Sequence, residues 1–141
     1  MTQNEKDLLI KDLCGRLPYG VKIVIQDTFK YSIVSQEYHV LDVSNFSDIF
    51  CFNYKKFDKR MKKAMREHPN DIVIKPYLFP LSSMTEEQKK EYANLLVYTS
   101  SVEMIQITGE STYDWLNKNM FDWRGLIPKG LANDATGLNI Y

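Results

Sequence analysis

Val21, Ile23 and Ile25 alternate with Lys22 and Gln26, the period-2 pattern that sends successive side chains to opposite faces of a β-strand. Phe29, Tyr31 and Ile33 continue the alternation beyond Asp27-Thr28, which reads as a hairpin tip. Ser35-Gln36-Glu37 breaks it, and residues 38–43 and 49–54 supply two further β-rich segments. The pattern predicts an antiparallel meander in the front half. Ahead of it, Asn4 is placed to cap a helix through Asp7, Leu8, Leu9, Asp12 and Leu13, with Gly15 as its stop and Leu17-Pro18-Tyr19-Gly20 as a rigid turn.

The period changes over residues 55–67, where Phe57, Met61, Ala64 and Met65 recur at helical spacing among lysines and arginines. Ile72-Val73-Ile74 predicts a short buried strand, and Pro76 and Pro80 predict that the chain then leaves the sheet. Ser83 and Glu86 have capping-box spacing before a helix with Tyr92, Leu95 and Leu96 as its inner stripe and a Glu86–Lys90 pair outside. Residues 102–108 are strand-like and Gly109 closes them. Ser111 and Asp114 signal a last helix through Tyr113, Trp115, Leu116 and Met120, followed by a turn-rich tail. These elements predict a single α+β domain over 1–141, a small antiparallel sheet or SH3-like barrel packed by helices and closed by the C-terminal helix and tail. Within it, 1–80 holds a helix and the β meander with an inserted basic helix, and 81–141 is mainly helical.

With 44% hydrophobic and 26% charged residues the chain is an ordinary globule, which excludes global disorder. Eighteen Lys+Arg balance eighteen Asp+Glu, so there is no overall attraction to polyanions. No stretch approaches the roughly 18 apolar residues of a membrane span, and Met1-Thr2-Gln3-Asn4-Glu5 does not open a secretion signal, which predicts a cytoplasmic location and no membrane partner.

Reactive side chains are few and dispersed. Cys14 and Cys51 have neither paired spacing nor a nearby histidine, so a disulfide framework and a zinc site are not expected. His39 shares a strand face with Leu41 and Val43 and reads as a core or edge residue, while His68 suits the C-terminal end of the basic helix. Cys51 between Phe50 and Phe52 reads as a small packed side chain. No nucleophile elbow or phosphate-binding glycine loop is present. The expectation is therefore no catalytic residue, no metal and no cofactor.

Two recognition features remain. Residues 55–67 hold seven Lys+Arg against two Asp+Glu, so Lys56, Lys59, Arg60, Lys63 and Arg66 on one face could contact phosphates. Large aromatics concentrate near the end of the chain, and Trp115, Phe121, Trp123 and Arg124 form the candidate partner-binding set, with Tyr113 and Tyr141 close in sequence. Asp122 and Arg124 flank Trp123 and are spaced for a salt bridge that would fix the turn. Binding of an unknown protein is the leading expectation, nucleic acid the second, and a small enzyme the third; oligomeric state is not readable.

Three stretches, Leu13-Cys14-Gly15-Arg16-Leu17-Pro18-Tyr19-Gly20-Val21, Lys75-Pro76-Tyr77-Leu78-Phe79-Pro80-Leu81-Ser82-Ser83-Met84-Thr85-Glu86-Glu87-Gln88 and Phe121-Asp122-Trp123-Arg124-Gly125-Leu126-Ile127-Pro128-Lys129-Gly130-Leu131-Ala132, carry a resemblance. In this order they resemble a family of uncharacterised proteins of bacteroidete prophages and gut phages. The resemblance covers about a third of the chain and implies a phage or mobile-element origin without implying an activity.

Overall fold

A computed structural model of the chain describes residues 1–27, 32–33, 39–41, 72–98 and 111–141. The basic segment 55–67, the β-rich segment 49–54 and the strand-like 102–108 lie outside the described residues.

Helix α1 spans Gln3–Arg16, and its cap is Thr2 rather than Asn4. Thr2 Oγ1 accepts from Glu5 N at 3.3 Å while the Glu5 carboxylate accepts from Thr2 N at 2.6 Å, a reciprocal box two residues earlier than expected. These bonds hold the Glu5 carboxyl below its ordinary value. Gly15 does not stop the helix, which continues through Arg16 into a 3-10 turn, Leu17–Tyr19, and ends at Gly20, whose φ of 67° favours glycine. Gly15 serves a different purpose: a Cβ there would stand 2.9 Å from Asn117 Nδ2, so the missing side chain permits close approach of a second helix.

The fold is α+β. Strand β1 (Val21–Asp27) pairs antiparallel with β4 (Ile72–Leu78), from Ile23 opposite Pro76 to Asp27 opposite Ile72. Its other edge carries β2 (Ser32–Ile33) and β3 (His39–Leu41), both antiparallel. The tail adds β5 (Asn133–Asp134) parallel to β4, so the sheet is mixed rather than wholly antiparallel. Among the described residues the strand path is open, running from β2 through β1 and β4 to β5, and no barrel closure is seen there.

The chain also continues as a strand through Pro76, where the sequence predicted a departure. Pro76 is the last residue of β4 in register with β1, and the next residue, Tyr77, already pairs with β5. The proline therefore falls where the ladder passes from one neighbour to the other, and its missing N–H removes little. The pair that would follow, Lys22 and Tyr77, is bridged by a phenol. Lys22 N donates to Tyr141 Oη at 2.9 Å, and Tyr141 Oη donates to the Tyr77 carbonyl at 2.8 Å.

Alternate residues Val21, Ile23 and Ile25 of β1 and Ile74 and Leu78 of β4 pack with Leu9 and Leu13 of α1 and Leu126 and Leu131 of the tail in one core. A second core joins helix α2 (Glu86–Tyr98) to helix α3 (Thr112–Lys118) through Met84, Trp115, Leu116 and Phe121. Phe79 packs against both. The cap of α2 is Thr85 with Gln88, not Ser83 with Glu86: Gln88 N donates to Thr85 Oγ1 at 3.2 Å and Thr85 N to Gln88 Oε1 at 2.9 Å. Ser83 instead closes its own turn by donating to the Pro80 carbonyl. Tyr92 and Leu95 face the core as expected, whereas Leu96 is 50% exposed and Glu86 pairs with Lys89 instead of Lys90. The Ser111–Asp114 box caps α3 as the spacing predicts.

Candidate functional site: a buried arginine network beneath an aromatic surface

Asp12 and Arg16 stand one turn apart on α1, and both side chains are completely buried. Arg16 Nε donates to Asp12 Oδ2 at 2.7 Å, and Nη2 donates to Asp12 Oδ1 at 3.0 Å and to the Phe121 carbonyl at 2.8 Å. The guanidinium thus ties the first motif to the third. A buried ion pair of this kind is stable only when both charges are present, because either alone pays the desolvation cost without compensation. Arg124 adds a second cation, its Nε 3.3 Å from Asp12 Oδ1.

Asp122 does not pair with Arg124. Its carboxylate accepts from Leu126 N at 2.7 Å and Ile127 N at 2.8 Å, closing the turn after Trp123 with two charge-assisted bonds. The second motif is laced into the same place, since Phe79 N donates to the Met120 carbonyl at 2.9 Å and Asp122 N donates to the Phe79 carbonyl at 2.8 Å. The three stretches that read separately along the chain therefore meet around Phe79, Phe121 and Arg16.

Of the four residues chosen for partner binding, two lie in the core. Trp115 is 5% and Phe121 2% exposed, with their rings stacked at 5.7 Å and Tyr92 at 5.8 Å from Trp115. Trp123 and Arg124 are half-buried and reach the surface together. The Arg124 guanidinium carbon lies 3.8 Å from the Trp123 ring centroid, and the Tyr113 ring lies 4.6 Å from it. Trp123 Nε1 donates to Asn117 Oδ1 at 3.0 Å, which fixes the indole. Tyr113, 59% exposed, and the Arg124 guanidinium thus both lie against the Trp123 ring. Tyr141 is not part of it and packs instead on Phe79.

The nucleic-acid candidates Lys56, Lys59, Arg60, Lys63 and Arg66 lie outside the described residues, as do Cys51 and His68. His39 belongs to β3, and Cys14 is exposed on α1. Among the described residues no three His, Cys, Asp or Glu are grouped to hold a metal ion, and no helix is long and apolar enough to cross a membrane.

The Asp12–Arg16 pair has a sequence signal, an acid four residues before an arginine, but taking Gly15 as the stop of the first helix leaves Arg16 outside it, so the two side chains are not expected one turn apart on one helix. No protein-family model, curated protein or solved structure matches this chain.

Proposed function

We propose that this chain is a non-enzymatic accessory protein of a phage or mobile element, acting by binding another protein through the surface of Tyr113, Trp123 and Arg124. The observation that carries the proposal is the packing of the exposed Tyr113 ring and of the Arg124 guanidinium against the Trp123 ring. Trp, Tyr and Arg dominate the energy of protein interfaces, and a ring already held by a hydrogen bond loses little further freedom on binding. The origin rests on the motif resemblance alone. Nucleic-acid binding through Lys56, Lys59, Arg60, Lys63 and Arg66 is the second reading, supported by the charge segregation at residues 55–67.

Retention from a lysate of the organism that carries the gene, at low and high salt, tests both. A discrete protein held at both salt levels by the wild type and lost by Tyr113→Ala is the expected result. Retention untouched by Tyr113→Ala contradicts the aromatic surface, and nucleic acid released by salt supports the second reading instead.

A further inference from the structure

We infer that the partner of the Tyr113–Trp123–Arg124 surface presents a carboxylate, carried by an Asp or Glu beside apolar side chains, to the outer edge of the Arg124 guanidinium. This rests on those three residues being the binding surface, and it adds the chemistry of what they bind. The carboxylates around Arg124 do not satisfy it. Asp12 receives two hydrogen bonds from Arg16, at 2.7 Å and 3.0 Å. Arg124 Nε stands 3.3 Å from Asp12 Oδ1, near enough for charge attraction, yet it is closed off from solvent and makes no hydrogen bond. Asp122 uses both oxygens on the amides of Leu126 and Ile127, and Asp114 turns back to Ser111 in the cap of α3.

Two guanidiniums therefore lean on one carboxylate, and only Arg124 of the two reaches the surface, with its side chain 18% exposed against 0% for Arg16. Its Nη1 and Nη2 make no hydrogen bond among the described residues. The same turn carries a second cation, since the Nζ of exposed Lys129 lies 3.6 Å from where a Cβ on Gly125 would stand. With Nε directed at Asp12, the Nη1–Nη2 edge offers two parallel N–H groups, a fork that fits the two oxygens of a carboxylate. Trp123 holds the guanidinium carbon 3.8 Å from its ring centroid, so little freedom is lost on pairing. The exposed Tyr113 ring gives the apolar neighbour of that carboxylate a surface to lie on. A nucleic-acid base needs an open aromatic face, and stacking on Trp123 would compete with Tyr113 and Arg124, which already lie against it.

End-blocked Glu-Leu-Glu-Leu and Gln-Leu-Gln-Leu peptides have nearly the same shape and differ in charge, and a short oligo-dT supplies phosphate in their place. Each is titrated into the intact protein and followed by NMR at Trp123 Nε1–H and at Arg124 Nε–H, which is shielded from solvent; the indole of buried Trp115 is the control. The Glu peptide is expected to saturate with a Kd on the order of millimolar, about fivefold tighter than the Gln peptide, and to move the Trp123 and Arg124 signals while leaving Trp115 in place. Arg124→Gln, with its fold checked by far-UV circular dichroism, should make the two affinities equal; the Arg124 Nε–H signal of the wild type carries the same test without a substitution. Equal affinities in the wild type, or an acid preference that survives Arg124→Gln, overturn the carboxylate partner and leave the aromatic surface standing, because the neutral peptide still reports contact at Trp123. Absence of saturable shifts from the Glu peptide up to about 20 mM overturns it too, as does oligo-dT bound more tightly at the same signals. Whether the surface binds protein at all is decided separately, by Tyr113→Ala in the lysate.

Discussion

Arg16 donates through Nη2 to the carbonyl of Phe121 at 2.8 Å, a bond that spans 105 positions of the chain. The same guanidinium is held on its other side by Asp12, so one completely buried cation joins the first helix to the turn that carries Trp123. The pair is structural, and it positions the surface proposed for binding.

Removing Asp12 leaves Arg16 buried without its counter-ion and beside a second cation, Arg124. Asp12→Ala should therefore lower stability by about 3–5 kcal/mol, whereas Asp12→Ala combined with Arg16→Met should recover part of that loss by removing the stranded charge. Urea unfolding monitored by far-UV circular dichroism measures both. A loss under about 1 kcal/mol for Asp12→Ala would mean that water reaches the pair.

Tyr141 makes the sheet sensitive to alkali. Burial of its hydroxyl raises the pKa to about 12, so the folded state keeps the phenol protonated over a range in which the unfolded chain releases it. The native state then binds more protons than the unfolded one, and the contribution is complete below about pH 10 and is lost as pH rises toward 12. Tyr141→Phe leaves Lys22 N–H and the Tyr77 carbonyl without the phenol. It should cost about 1–2 kcal/mol at neutral pH and weaken the fall in stability between pH 10 and 12, read as the difference between the two proteins' thermal midpoints. Identical alkaline limbs would contradict the bridging role.

Gly15→Ala sets local against tertiary preference. Alanine favours the helix by up to about 1 kcal/mol. Its Cβ would nevertheless press on Asn117, which is fixed by Trp123 Nε1. Displacing Asn117 frees the indole, so a net loss of about 1 kcal/mol and a red shift of tryptophan emission are expected. A more stable variant with unchanged emission would mean that Asn117 yields without cost.

What could be read in the sequence was local. The Ser111–Asp114 cap and the alternation of Val21, Ile23 and Ile25 declare themselves within a few residues, because capping and strand faces are set by near neighbours. Gly15 and Pro76 were misread for the opposite reason. Gly15 answers to Asn117 on a distant helix, and Pro76 is tolerated because the ladder changes partner beside it. The candidate surface was half legible: the aromatic cluster was visible, but which rings point inward depends on α2 and Phe79, which bury Trp115 and Phe121 and leave Trp123 with Tyr113 and Arg124 outside. Asp122 shows the same limit, since its partners are the amides of Leu126 and Ile127 and not the arginine two positions away.

The most direct test of the proposed function is a photo-crosslinking side chain placed at position 113, with a second at Thr136, an exposed control on the tail. Illumination in a lysate of the source organism should yield one discrete protein adduct from position 113 and none from 136. Equal labelling from both positions, or adducts to nucleic acid alone, would contradict the account.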